Sequence, residues 1–438
     1  MDKQSLSRRS FVKGAAGTVT FPYIVSSHVF GAQAPSNRLR IGCIGTGRMG
    51  VGNMKQALNL GLDKKYNAHV VSLCDVDSKR LKNAASIVEK FYDDHDLKIK
   101  PRTYEDYRVM VQDRDLDGVI VATPEHHHAL NGIAAAKAGK DIYMQKPLTY
   151  SVVEGQKLVK AVRKNNVILQ TGSQQRSSVY FRKTCELVRN GAVGKLQVIE
   201  VAIPTDSGIG IATPMDIPKN LNYEMWLGPT PELPYTEHRV HPQNDLSRPG
   251  WLQIERYCRG MVTGWGSHMY DIAQWALGVD TNSGPVEVEA IADFPDRGLF
   301  DVHRAYQAWA TYANGIKMVS HTGKAGVTFI GSDGWIWVER GSFRAHDRNI
   351  FRKEFGAGGI KLYESKNHMG NFLECMRTRK DPIAPVEAGH RSNSVCVLHH
   401  IAMKLKRKLK WDPKAEKFIN NNEANKMLDF PHRKLWQV

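Results

Sequence analysis

The chain has 438 residues, of which 42% are hydrophobic and 24% charged, enough apolar sequence for two cored domains and too much for a disordered chain. Its formal net charge of +17 suits an anionic envelope or an acidic ligand, but no zinc-finger spacing or aromatic RNA-binding motif accompanies it, so nucleic acid is not read as a partner. No apolar run reaches the ~18 residues of a membrane-spanning helix, so stable insertion by such a helix is excluded.

Residues 1–34 read as a removable export signal. Ser7-Arg8-Arg9-Ser10-Phe11-Val12-Lys13 is a basic start, Gly14 to Phe21 is a short and weakly apolar stretch, and Ala32-Gln33-Ala34 is a small-x-small site before Pro35. The paired arginines resemble the twin-arginine signal, whose machinery exports proteins already folded, so the expected location is periplasmic or otherwise extracytoplasmic. The six cysteines are scattered, with no C-x-x-C, and Cys43 and Cys74 lie inside apolar strand-like runs. That pattern predicts buried thiols formed in a reducing compartment rather than a disulfide framework.

From residue 35 the chain alternates strands and helices. Leu39–Ile44, His69–Cys74, Asp117–Ala122 and Asp141–Met144 read as strands. Between and after them, Met49–Leu60, a charged run from Ser78, His127–Ala138 and Val152–Asn165 read as helices. The rhythm predicts a Rossmann-type parallel, doubly wound domain over residues 35–168. After Thr171 it changes. Gly194–Val201 is a longer strand, and hairpin signals follow at Asn314-Gly315 and Asp333-Gly334. Residues 169–438 therefore read as a C-terminal α/β domain with a large, mainly antiparallel sheet, its final helix and tail free to pack back on the first domain. The basic run Lys404 to Lys410 reads as the solvated end of a helix.

Gly45-Thr46-Gly47-Arg48-Met49-Gly50 closes the first strand and opens the first helix. The first glycine permits the tight turn, the second lets backbone reach a pyrophosphate, and the third lets helix pack on strand. The helix N-terminus then offers free N–H groups to the anion. Asp75 ends the second strand, where a carboxylate meets a ribose 2′-OH and repels a 2′-phosphate, so NAD is favoured over NADP; Lys79 and Arg80 soften that preference.

Thr123-Pro124-Glu125-His126-His127-His128, then Gln145-Lys146-Pro147, and further on Trp265-Gly266-Ser267-His268-Met269-Tyr270-Asp271 join the glycine motif in a pattern that resembles the Gfo/Idh/MocA oxidoreductases. The resemblance runs over nearly all of residues 38–438. It implies that Thr123, Pro124, His126 and His128 line the dinucleotide with Gln145, and that Gln174 lies at the nicotinamide end. Lys146 matches the family's Glu-Lys-Pro lysine, reaching substrate hydroxyl and nicotinamide, and His268 matches its acid/base histidine. Gln175, Arg176, Tyr257 and Trp265 are implied near the substrate. Two positions depart from the pattern. Gln145 stands where the family has a glutamate, and Gly264 where many members have an aspartate four residues before the histidine. His268 then finds another partner, Asp271 or Tyr257, or acts with a lowered pKa. Adjacent histidines do not share one helix face, so no metal is read at His126 to His128.

The chemistry so implied is oxidation of a ring hydroxyl of a sugar, polyol or glycoside, with His268 taking the proton and Lys146 steadying the alkoxide. Trp226, Trp251, Trp265 and Trp335 are available to stack on a sugar. An exported protein meets no dinucleotide pool, so the NAD is expected to be tightly bound and regenerated within each cycle. A redox-neutral glycosidase or lyase, oxidising a ring hydroxyl transiently, is the alternative, and a non-catalytic sugar- or dinucleotide-binding protein a third. A homo-oligomer, dimer or tetramer, is expected from an open sheet face in the second domain.

Overall fold

The computed structural model describes residues 37–437; the export segment read at residues 1–34 lies outside the described residues. Strands β1 (Leu39–Ile44), β2 (Ala68–Cys74), β3 (Arg102–Tyr104), β4 (Gly118–Val121), β5 (Asp141–Met144) and β6 (Leu169–Thr171) form one parallel sheet in the order β3-β2-β1-β4-β5-β6. Every residue of β4 and β5 is buried, because helices cover both faces and leave no side of the strand for water. The order reverses between β1 and β4, and at that point the strands' carboxyl ends diverge into a crevice. Gly45, Asp75, Thr123 and Lys146 follow the ends of β1, β2, β4 and β5.

The boundary read at residue 168 is corrected by β6, which pairs with β5 through Ile142 and Leu169 and so belongs to the first sheet. Three residues are too few for a strand's alternation to show. Nor does the first sheet close its own core. Met369, Phe372, Leu373 and Met376, from the helix His368–Thr378, pack with Ile41, Cys43 and Val70, while Trp436 joins Val119 and Ile142.

Strands β7 (Leu196–Ile203), β8 (Glu287–Ala292), β9 (Tyr306–Thr311), β10 (Lys317–Thr322), β11 (Gly326–Gly331), β12 (Trp335–Glu339), β13 (Ser342–Ala345), β14 (Leu409–Asp412) and β15 (Lys417–Phe418) build the second sheet, in the order β13-β12-β11-β7-β10-β9-β8-β14-β15. Its pairs are antiparallel except β7 with β10. One face buries Ile199, Val201, Ala308 and Met318 under the helices Gly266–Leu277 and Val386–Leu405. Gly315, at φ +83°, makes the β9–β10 turn where a side chain would be strained. The basic run read as a helix end is split. The helix stops at Leu405, Lys406 takes a left-handed φ of +50°, and Leu409 starts β14.

All six cysteines are buried and unbridged. Among the described residues no helix is long and apolar enough to cross a membrane.

Candidate active site

A cavity of about 610 Å³ runs from the glycine loop to the helix that begins at Gly266, a volume typical of small-molecule sites. Gly45, Gly47, Arg48 and Met49 line one end with Asp75. Gly45 has φ +86°, and a Cβ there would lie 2.7 Å from the Ala122 carbonyl oxygen; one on Gly50 would lie 1.9 Å from that of Gly45. Both positions thus require glycine for backbone reasons, the first for the turn and the third for helix-on-loop packing. Gly47, the N-cap of the helix Arg48–Gly61, provides no side-chain cap, so the amides of the first turn remain open to an anion. Asp75 Oδ2 accepts from the Thr46 backbone N–H at 2.7 Å and from Thr46 Oγ1 at 2.9 Å. The carboxylate therefore fixes the loop as well as facing the cavity, and Thr46 shapes the site from behind. This cradle fits a pyrophosphate with its adjoining ribose.

The far end gathers Thr123, Pro124, Gln145, Lys146, Gln174, Trp226, Trp251, Trp265 and His268. Lys146 Nζ donates to the Gly264 carbonyl at 2.8 Å. Burial lowers its pKa, an effect opposed by Glu125. His268 is 4% exposed and its Nδ1 has no protein partner. Burial holds it neutral, with a pKa well below the ordinary histidine range, and the charges of Lys146 and Arg340 push the same way. Gln145 also lines this end, and its Nε2 is likewise buried without a protein partner. Gln145, Lys146 and His268 together give this end of the cavity a polar lining that suits a carboxamide-bearing ring beside a sugar hydroxyl.

The sequence reading missed Glu125. This carboxylate is 2% exposed, lines the cavity, and accepts from Cys258 Sγ at 3.0 Å and from Thr263 Oγ1 at 3.2 Å. Burial pushes its pKa up to about 7, against the opposing pull of Cys258 and Lys146. Thr263 precedes Gly264, whose carbonyl holds Lys146, so the two ionisable groups hang from neighbouring residues. Glu125 thus supplies an acid beside the lysine in a chain that has none at 145 or 264. Its spacing to His128, i and i+3 on one helix face, was the available signal.

Several residues implied by resemblance lie away from the cavity. His126 is turned off the face shared by Glu125 and His128; it is fully buried, with Nε2 3.0 Å from the Trp226 carbonyl oxygen and its ring against Tyr257. His128 does line the cavity, but its ring nitrogens face the carbonyls of Pro147 (2.7 Å) and Thr123 (2.9 Å). Tyr257 is buried beneath Trp226 rather than beside His268. Asp271 does not partner His268 either. Its Oδ1 lies 2.6 Å from Arg176 Nη2 and 2.8 Å from Ser392 Oγ, and Asp280 closes on the same guanidinium at 3.0 Å. An arginine buried this deeply needs counter-charges more than a neutral imidazole needs a carboxylate, so Asp271 and Arg176 form an internal ion pair. Gln175 is buried against Met269, and Trp335 lies on β12 outside the cavity.

Residues 39–173 match the NAD-binding Rossmann fold of an oxidoreductase family, and residues 205–438 match that family's C-terminal α/β domain. Myo-inositol 2-dehydrogenase of Thermotoga maritima is 31% identical over 163 residues, 37% of this chain and 44% of that protein, so the chain spans less than half of that relative's length. Among solved structures, the aldose-aldose oxidoreductase of Caulobacter crescentus, complexed with glycerol, aligns over 85% of this chain and 99% of its own at 17% identity and a TM-score of 0.61. A levoglucosan dehydrogenase complexed with NADH gives the same coverage, identity and TM-score. At that identity the likeness speaks for the fold, while the two domain matches between them cover the first sheet and, except for β7, the second. With its glycine cradle, its lysine after β5 and its large second sheet, the chain belongs to the Gfo/Idh/MocA family of oxidoreductases.

Proposed function

We propose that the protein is an NAD(H)-dependent oxidoreductase acting on a ring hydroxyl of a sugar, polyol or glycoside. The observation that carries the reading is the convergence of Lys146 and His268 on the cavity whose other end is the glycine cradle. NAD, when bound there, supplies the hydride acceptor for the carbon being oxidised. Lys146, fixed by the Gly264 carbonyl, presents its remaining N–H groups to the substrate oxygen and stabilises the charge that develops as the proton leaves. His268, held neutral by burial and lining the cavity, is able to accept that proton. Glu125, with a pKa of about 7, stores a proton behind Lys146 and sets how readily the lysine changes its own charge. Trp251 and Trp265 offer apolar walls to a pyranose ring.

The same proposal includes export after folding, with the dinucleotide carried along as a tightly held group. Its support is the paired-arginine segment together with six buried thiols that need no oxidising compartment. It also includes a homo-oligomer formed on the outer face of the second sheet, where Trp309 pairs with Val319 and Trp337 with Thr328, all half-exposed.

The test is an assay of the purified protein with chromogenic glycosides, following nicotinamide absorbance and aglycone release together. Reduced dinucleotide accumulating supports the proposal. Release without accumulation replaces it with the redox-neutral glycosidase, and a protein giving neither signal is a binding protein. Native mass spectrometry of protein isolated from its own host should show bound dinucleotide that survives dialysis; an empty protein that works only with millimolar NAD overturns the tight-binding element.

A further inference from the structure

Arg340 stands in the turn between β12 and β13 and lines the end of the cavity that holds Lys146 and His268. Its guanidinium lies 4.7 Å over the ring of Trp265, which also lines that end. The stacking orients the fork without using any of its five N–H groups. No carboxylate among the described residues pairs with it. The other cations around this end are engaged: Arg248 pairs with Asp206 at 2.6 Å, and Lys146 donates to Gly264. The one carboxylate here, Glu125, is turned to Cys258 and Thr263. Positive charge is thus left over where the substrate sits, and an oxidised nicotinamide ring would add to it. Both Lys146 and Arg340 depress the basicity of His268, the residue assigned to take a proton.

A neutral sugar leaves this excess uncompensated. A single negative charge placed on Arg340 would cancel it and raise the basicity of His268. The planar fork of a guanidinium matches a carboxylate through two parallel hydrogen bonds, and one unpaired arginine balances one such charge. We propose that the substrate is an anionic sugar, a hexuronic acid or its glycoside, whose carboxylate is held by Arg340 while a ring hydroxyl lies between Lys146 and His268. This rests on the oxidoreductase reading for its placement of the substrate but concerns binding, which is measurable without turnover.

The experiment is calorimetric titration of the full-length protein, with and without NADH. The ligands are glucuronate, galacturonate and methyl glucuronide, set against their neutral hexose counterparts and glucose 6-phosphate. NADH affinity, read separately by fluorescence, tests the dinucleotide site. At least one uronate should bind roughly ten- to a hundredfold more tightly than its neutral counterpart, the range expected of a charge-assisted hydrogen-bonded pair. Arg340→Met should erase that difference, leave NADH affinity unchanged and leave the thermal midpoint in place, since the residue is exposed on a turn; Arg340→Lys should keep part of it. The proposal is overturned if no uronate binds at millimolar concentration, if the neutral sugars bind as well, if glucose 6-phosphate binds more tightly than every uronate, or if Arg340→Met preserves the preference.

Discussion

Replacing Glu125 by glutamine should change how stability depends on pH, and the size of the change follows from the burial of the carboxylate. In the unfolded chain a glutamate titrates near 4.5, whereas in the fold burial moves Glu125 to about 7. A group with a raised folded pKa favours the fold fully below its unfolded value, and that contribution is lost as pH rises through the folded one. The window is therefore pH 4.5 to about 7, and the loss across it is on the order of 3 kcal/mol at ~1.4 kcal/mol per pH unit. For a chain of this length that corresponds to roughly 4 °C in the melting midpoint. Glutamine keeps the shape and an acceptor oxygen for one of Cys258 and Thr263, places an amide N–H2 against the other, and does not titrate. Melting wild type and Glu125→Gln by differential scanning calorimetry at pH 5 and pH 8 should show the wild-type midpoint falling by that much relative to the variant. The kcat profile should lose its limb near pH 7 in the same variant. An offset that is identical at both pH values would mean that Glu125 is ionised throughout, and the proton store behind Lys146 would be refuted.

Lys146→Met should lower kcat by roughly 100- to 10,000-fold while NADH titration by fluorescence is little changed, because the ammonium acts on the reacting oxygen rather than the pyrophosphate. Asp271→Asn should cost about 3–5 kcal/mol of stability, seen in urea melts, because it leaves Arg176 buried with less counter-charge. An activity loss in that variant without such a cost would restore Asp271 as a catalytic group. Gly50→Ala, whose methyl would meet the Gly45 carbonyl oxygen at 1.9 Å, should abolish NADH binding by distorting the loop; unchanged affinity would show that the loop yields.

The first sheet was largely legible because its signals are local. A buried parallel strand such as Gly118–Val121 is apolar throughout, and a glycine loop between strand and helix is read within a few residues. The two hairpins at Asn314-Gly315 and Asp333-Gly334 were legible for the same reason. What was lost depends on the far side of the chain. Asp271 looked like a partner for His268 at helical spacing, but Arg176, ninety-five positions away, claims it. His126 lay in the right motif on the wrong side of its helix. Arg340 carries no motif at all, and it matters only because β12 and β13 bring their turn over Trp265.

The packing of Trp436 among Val119 and Ile142 has a consequence for synthesis. A ribosome delivers β1 to β6 early, yet the apolar cluster beside that first sheet is completed only by Trp436, which follows every strand of the second sheet. Completion of the dinucleotide-binding half is thus a late event, and a chain truncated before Trp436 would expose apolar surface beside the sheet that must hold the cofactor.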